Sequence, residues 1–397
     1  MGPSAETRAT LWVILAASTL TVMAGAILGP VVPSIQSNLG VSESLAGLII
    51  TTHGALIVIF SPIAGIIVDR IGPRKPFVGG LILYAVGGGA GLLIDSFGPL
   101  LASRAVLGIG VAFVYTGLTV LIYEIYEGQR MNRALGLRSS ANSIGAVIWP
   151  LIGGVLGTLT WQAPFGVYLV AFPLGLVTLF TVPEIRSDSS DGSLTTEGGF
   201  SGVVAVFRRK PELAGVYVLY FGANALLYSI IVFYPQLLAR IEISSSFAIS
   251  LYLAANGLAG GTSAAIYDRL LRRTDRIVLI VAAFLFWIVA FLSATLANSA
   301  FTAIPGVVGF GLGLGLVFPS AFSWIEALAP PDRKGQFSSY LAVAGYSGQF
   351  LSPVLFGLAV PWYGIRGVFG SAALIAFLAV IILLSGIWRQ HRRGLAS

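Results

Sequence analysis

The chain has 397 residues, of which 56% are apolar and only 10% charged, with a net charge of +7 and a mean hydropathy of +0.90. Soluble domains carry about 25% charged residues, so this composition excludes an ordinary water-facing exterior and reads as an all-α protein embedded in a lipid bilayer. The absence of cysteine excludes disulfides, thiol catalysis and cysteine-ligated metals.

A membrane span needs about 20 apolar residues, and twelve candidates follow in order. They cover residues 10–35, 43–68, 76–95, 98–123, 134–158, 163–182, 212–238, 246–267, 275–296, 299–325, 336–360 and 365–388. Ala24-Gly25-Ala26 resembles a signal cleavage site, but the apolar run around it is too long for a signal core. An even number of spans places both termini on one side. All but three of the 23 basic residues fall at the termini or in even-numbered loops, the exceptions being Arg104, Arg240 and Arg366. Basic residues concentrate in cytoplasmic loops, so both termini are expected in the cytoplasm. Topology thus accounts for the surplus charge, and no nucleic-acid partner is expected. Trp12, Trp161, Trp362 and Trp388 lie near span ends, where an amphipathic ring is favoured.

The chain divides into 1–183, a linker at 184–211 and 212–397. The linker opens polar and ends in an amphipathic stretch before Arg208-Arg209-Lys210, fitting a short helix on the membrane surface. The two halves echo each other. Asp69-Arg70 is repeated by Asp268-Arg269, Glu124 by Glu326, and Arg130 and Pro150 by Arg333 and Pro353 at one common offset. A duplicated six-span unit is the economical reading.

Several residues are costly or unusual inside lipid. His53 lies near the middle of span two, able to exchange protons or contact an anion, and equally able to be a packing histidine. Arg104 lies inside span four, either facing an aqueous cavity, the favoured reading, or snorkelling outward. On span seven Tyr217, Tyr220, Asn224 and Tyr228 recur at helical spacing, and on span eight Tyr252, Asn256 and Ser263 do the same. Such stripes line a cavity or bond neighbouring helices. Gly309, Gly311, Gly313 and Gly315 alternate within span ten, and read as a packing face because no strand precedes them. No constellation of nucleophile and base, metal ligands or phosphate loop is found, so neither an enzyme, a cofactor nor a metal is expected.

Three motifs carry a family resemblance. Gly65-x3-Asp69-Arg70-x-Gly72, followed by Pro73, Arg74 and Lys75, resembles the loop between spans two and three of the major facilitator superfamily of membrane transporters. Arg104-x3-Gly108-x-Gly110-x-Ala112 resembles the span-four motif of that superfamily. Gly136-x8-Gly145-x3-Trp149-Pro150-x2-Gly153-Gly154 is similar to its antiporter motif, with Trp149 replacing a glycine. The resemblance implies twelve helices in two pseudo-symmetric six-helix bundles that rock about a central site, a monomer in a prokaryotic inner or plasma membrane, and a small-molecule substrate. It also implies that Gly65, Asp69, Arg70, Gly72, Arg74, Lys75, Glu124, Asp268, Arg269 and Glu326 form a cytoplasmic gate, Asp69 bonding the start of span eleven when the outside is open.

The span-four and span-five motifs favour the twelve-span drug/proton antiporter branch, hence proton-coupled efflux. No carboxylate lies mid-span: Glu124, Glu326, Asp69 and Asp268 sit near one face, Glu43 and Asp95 near the other. The expected cargo is therefore neutral or anionic, met by Arg104 and His53 with Tyr220, Asn224, Tyr228, Tyr252 and Asn256. On this reading Arg104→Ala loses flux but still folds. An organic-anion symporter or exchanger is the runner-up, and a sensor without flux a remote third.

Overall fold

The computed structural model describes residues 5–184, 206–330 and 334–394. Among them the ordered elements are helices: α1 (Ala5–Ala26), α2 (Val32–Leu39), α3 (Glu43–Ile71), α4 (Arg74–Gly89), α5 (Phe97–Ile125), α6 (Gly128–Gly157), α7 (Ala171–Thr181), α8 (Glu212–Arg240), α9 (Ser246–Leu271), α10 (Arg276–Leu296), α11 (Ala300–Leu328), α12 (Lys334–Gly357) and α13 (Val360–Gly394), with short 3-10 turns between some of them. Among the described residues, nine helical stretches are long and apolar enough to cross a membrane. The places expected of spans three, eight and eleven are taken by α4, which has only 16 helical residues, and by α9 and α12, whose glycine and polar residues dilute their hydropathy.

Local chemistry sets the helix ends. Ser42 caps α3 by accepting from the Leu45 amide, and Ser245 caps α9 through the Ala248 amide. Ser299 and Thr302 cap α11 reciprocally, satisfying amides that have no partner within the helix. Pro30 and Pro33 divide the first span, which runs as α1, a 3-10 turn at Gly29–Val31 and α2. The fifth span starts at Gly128, six residues before its expected start at 134. Residues 200–205 of the expected surface helix lie outside the described chain. Residues 206–209 form a helical turn, and Phe207 packs on Tyr217 and Phe337.

Two groups of helices result, α1–α7 and α8–α13. In the first, α5 packs against α3 and α4; in the second, α11 lies between α9 and α10. The alternating glycines of α11 make that sandwich possible. Gly311 and Gly315 admit the backbone of α9 at Asn256 and Gly260, while Gly309 and Gly313 admit Ala290 and Trp287 of α10. Two positions apart on a helix is a turn of about 200°, so four alternating glycines clear two opposite faces. Trp287 stacks on Phe310 and donates its indole N–H to the Phe310 carbonyl, 2.9 Å. The two groups meet where α6 packs on α9 and α3 packs on α12.

Candidate functional site: a cleft between the two helix groups

Glycines trace where the groups touch and where they part. On α3, Gly47, Gly54 and Gly65 share one face. A Cβ built on Gly47 lies 2.9 Å from Pro353 and one on Gly54 lies 3.1 Å from the Tyr346 carbonyl, whereas Gly65 meets nothing within 4 Å. On α9 a Cβ at Gly257 lies 2.8 Å from the Ala146 carbonyl, whereas Gly261, one turn on, meets nothing. On α6, Gly154 packs on Ser250, while Gly136 on the same face is open. Both seams are therefore tight at the end holding Glu43 and Arg240 and splayed at the end holding the basic loops. Arg240 and Glu43 pair across the tight end at 3.4 Å, and Gln236 donates to the Glu43 carbonyl at 3.3 Å.

Where the seams begin to part, Tyr115 of α5 meets Tyr346 of α12 edge-on across the divide, ring centres 6.0 Å apart. Arg138 of α6 lies over the Tyr115 ring at 4.9 Å and donates to the Thr119 hydroxyl at 3.0 Å. On the opposite wall, Asn224 donates to the Tyr220 carbonyl and accepts from Gln349, both at 2.9 Å. The Tyr220 ring packs on Phe318 and Phe322. Deeper still, the Tyr228 hydroxyl and His53 ring converge over Gly25, where a Cβ would lie 2.8 and 3.2 Å from them. His53 is buried, and its Nδ1 lies 2.6 Å from the Ile50 carbonyl. A carbonyl only accepts, so Nδ1 carries the proton and Nε2 of the neutral ring presents a lone pair.

Arg104 does not line this cleft. It is completely buried, and its Nη2 donates to the Gly87 and Gly88 carbonyls, each at 3.1 Å. These belong to the last turn of α4, where carbonyls lack an onward helical partner. The guanidinium is covered by the rings of Phe165 and Tyr168 at 5.1 and 4.7 Å. The glycines of the same motif pack: Gly108 admits the His53 backbone and Gly110 the backbone of α4.

The other expected residues separate by position. Tyr220, Asn224 and Tyr228 gather with His53 near the divide. Tyr252 instead donates to the Ala300 carbonyl at the tight end, 2.8 Å. Asn256 is buried against α11, its side-chain oxygen without a partner. Asp69, Arg70, Glu124, Asp268, Arg269 and Glu326 are exposed at the splayed end, and among the described residues no ion pair there bridges the two groups. Gly72 turns the chain at φ 80°, a conformation glycine adopts without steric cost. Arg74 donates to the Leu179 carbonyl and Lys75 pairs with Glu184 at 3.0 Å, tying the loop to the end of its own helix group. In the span-five motif Gly153 lies against Ile27, Pro150 sits within α6, and the Trp149 indole crosses Gly145 to donate to the Thr19 carbonyl at 2.9 Å. Trp149 thereby pins α6 to α1.

Sequence reasoning missed Arg138, Tyr115, Tyr346 and Gln349. The charge partition places Arg138 with the loop charges, although it falls within the expected fifth span and lies ten residues into α6. That inward position was a readable signal. The tyrosines meet only through tertiary packing.

Two groups of apolar helices, pressed together at one end and parted at the other around a polar aromatic lining, define an integral membrane protein of transporter architecture. The sequence profile of the Major Facilitator Superfamily matches residues 14–353 and, again, 243–395. The chain belongs to that superfamily, whose members are membrane transporters rather than enzymes. It is 24% identical over 394 residues to the multidrug efflux protein YfmO of Bacillus subtilis (strain 168), covering 98% of this chain and 95% of the relative. It is 23% identical to the quinolone resistance protein NorA of Staphylococcus aureus (strain MRSA252), covering 92% and 93%. Its fold superposes on the nucleoside transporter NupG, crystallised in mutant form, with a TM-score of 0.79 at 13% identity over 94% of this chain and 99% of that one.

Proposed function

We propose that the chain is a twelve-span secondary transporter that exports small neutral or anionic amphipathic compounds in exchange for protons, seen with its cleft open to the cytoplasm. The observation that carries this reading is the pair of glycine-traced seams, shut beside Glu43 and Arg240 and open beside the basic loops. The basic loops mark the cytoplasmic side, so the cleft loads from within. Rocking the groups apart at the tight end and together at the splayed end carries a solute outward. In that second state Asp69 closes on the start of span eleven, and the other gate residues at the splayed end follow. The efflux relatives support export. Protons are the proposed coupling ion, with His53 Nε2 as the group beside the cleft that takes one up, because every carboxylate of the described chain lies near a helix end or in a loop.

The test is uptake into proteoliposomes holding the purified chain under an imposed pH gradient, with compounds chosen by thermal-shift screening. Accumulation that follows the gradient supports proton exchange. Transport indifferent to the gradient removes the coupling, and no flux of any stabilising compound removes the transporter reading.

A further inference from the structure

We infer that the solute accepted at the divide is a planar aromatic carboxylate, held by Arg138 and packed against the Tyr115 and Tyr346 rings of the two helix groups. The inference rests on the transporter reading and names its substrate class. Arg138 is a guanidinium within a membrane-embedded helix that no carboxylate neutralises among the described residues; its polar partner is the Thr119 hydroxyl. A charge in such a position is expensive unless it faces water or a counter-ion, and Arg138 is only half-buried. Arg104 differs in being fully enclosed and bonded to carbonyls, and so is spent on the fold.

The surroundings of Arg138 select further. Its plane already lies over Tyr115, which meets Tyr346 across the divide, so a flat ring entering there finds aromatic faces belonging to both groups. Offset or edge-on ring pairs add attraction beyond their buried area, and a guanidinium matches a carboxylate in two parallel hydrogen bonds. An organic cation would meet Arg138 with no carboxylate to offset the repulsion.

The experiment measures binding of 1-naphthoate, 1-naphthylmethanol, 1-naphthylmethylammonium and cyclohexanecarboxylate to the full chain in detergent micelles, for the parent, Arg138→Gln, Arg138→Lys and Tyr346→Ala. Naphthoate is expected to bind the parent about ten- to a hundredfold more tightly than the alcohol, the value of a charge-assisted pair, with the ammonium weakest and the non-aromatic acid weaker than naphthoate. Arg138→Gln brings the acid-to-alcohol ratio near one; Arg138→Lys keeps part of it; Tyr346→Ala weakens naphthoate more than cyclohexanecarboxylate. The ratio is taken within each variant, so a lower folded fraction does not change it. A parent that binds no naphthoate, binds the ammonium as well, or keeps its ratio in Arg138→Gln overturns the inference. Flux of the same probes in proteoliposomes is read separately: absence of transport with the expected binding ratios defeats the transporter reading alone, and transport with a ratio near one defeats the substrate class alone.

Discussion

Replacing Arg104 by alanine is predicted to damage the fold before it damages transport. The side chain makes two hydrogen bonds to the Gly87 and Gly88 carbonyls, each charge-assisted and contributing about 1.5–3 kcal/mol. The Phe165 and Tyr168 rings add roughly 1 kcal/mol each. Against this, Nε and Nη1 are enclosed without partners, costing about 1–3 kcal/mol apiece. These opposing terms leave Arg104 a net stabiliser by about 2–3 kcal/mol, and the space emptied in Arg104→Ala adds on the order of 2 kcal/mol. The expected loss of about 4–5 kcal/mol corresponds to a fall in Tm of about 8–20 °C for a unit the size of one half. The assay is thermal unfolding in detergent, paired with size-exclusion chromatography. Arg104→Met, which keeps the stem packed between the rings, is expected to recover part of the loss. An Arg104→Ala chain that unfolds at the parent temperature and elutes as one species, yet moves no solute, would refute this reasoning and return Arg104 to the substrate.

Further outcomes follow from the seams and the buried histidine. His53→Gln keeps a polar side chain beside Gly25 but removes the titrating nitrogen, and is expected to abolish accumulation driven by a pH gradient while leaving counterflow of solute measurable; undiminished gradient-driven accumulation would remove His53 from coupling. Gly257→Val sets branched carbons against the Ala146 backbone and should pry the tight end apart. Because the chain has no cysteine, spin labels at Ser37→Cys and Ser299→Cys report that end cleanly, and an unchanged distance distribution would contradict the packing argument. Glu43→Gln removes an ion pair with Arg240, whose own side chain is largely exposed, worth about 0.2–1 kcal/mol. The same labels should show the outward-open population rising by no more than about fivefold; a shift of a hundredfold would mean that Glu43 does more than pair.

Hydropathy and charge placement carried the helical architecture, because lipid demands that every backbone polar group be satisfied within a helix and rejects charge from its core. The glycine motifs marked the family for a related reason: close helix contact requires missing side chains, and that requirement is written in residue identity. What the sequence could not rank was the two embedded arginines. Arg104 and Arg138 are chemically the same and both lie within helices, but one meets the carbonyls at the end of α4 beneath two rings, and the other meets a cleft. That difference depends on where α4 stops and where α5, α6 and α12 converge, contacts between residues far apart in the chain. Tyr115 and Tyr346 carry no local pattern at all, since their meeting exists only across the divide. Tertiary packing also decided which end of each seam is closed, because the glycines on the facing sides of α3, α6 and α9 serve equally for either conformation.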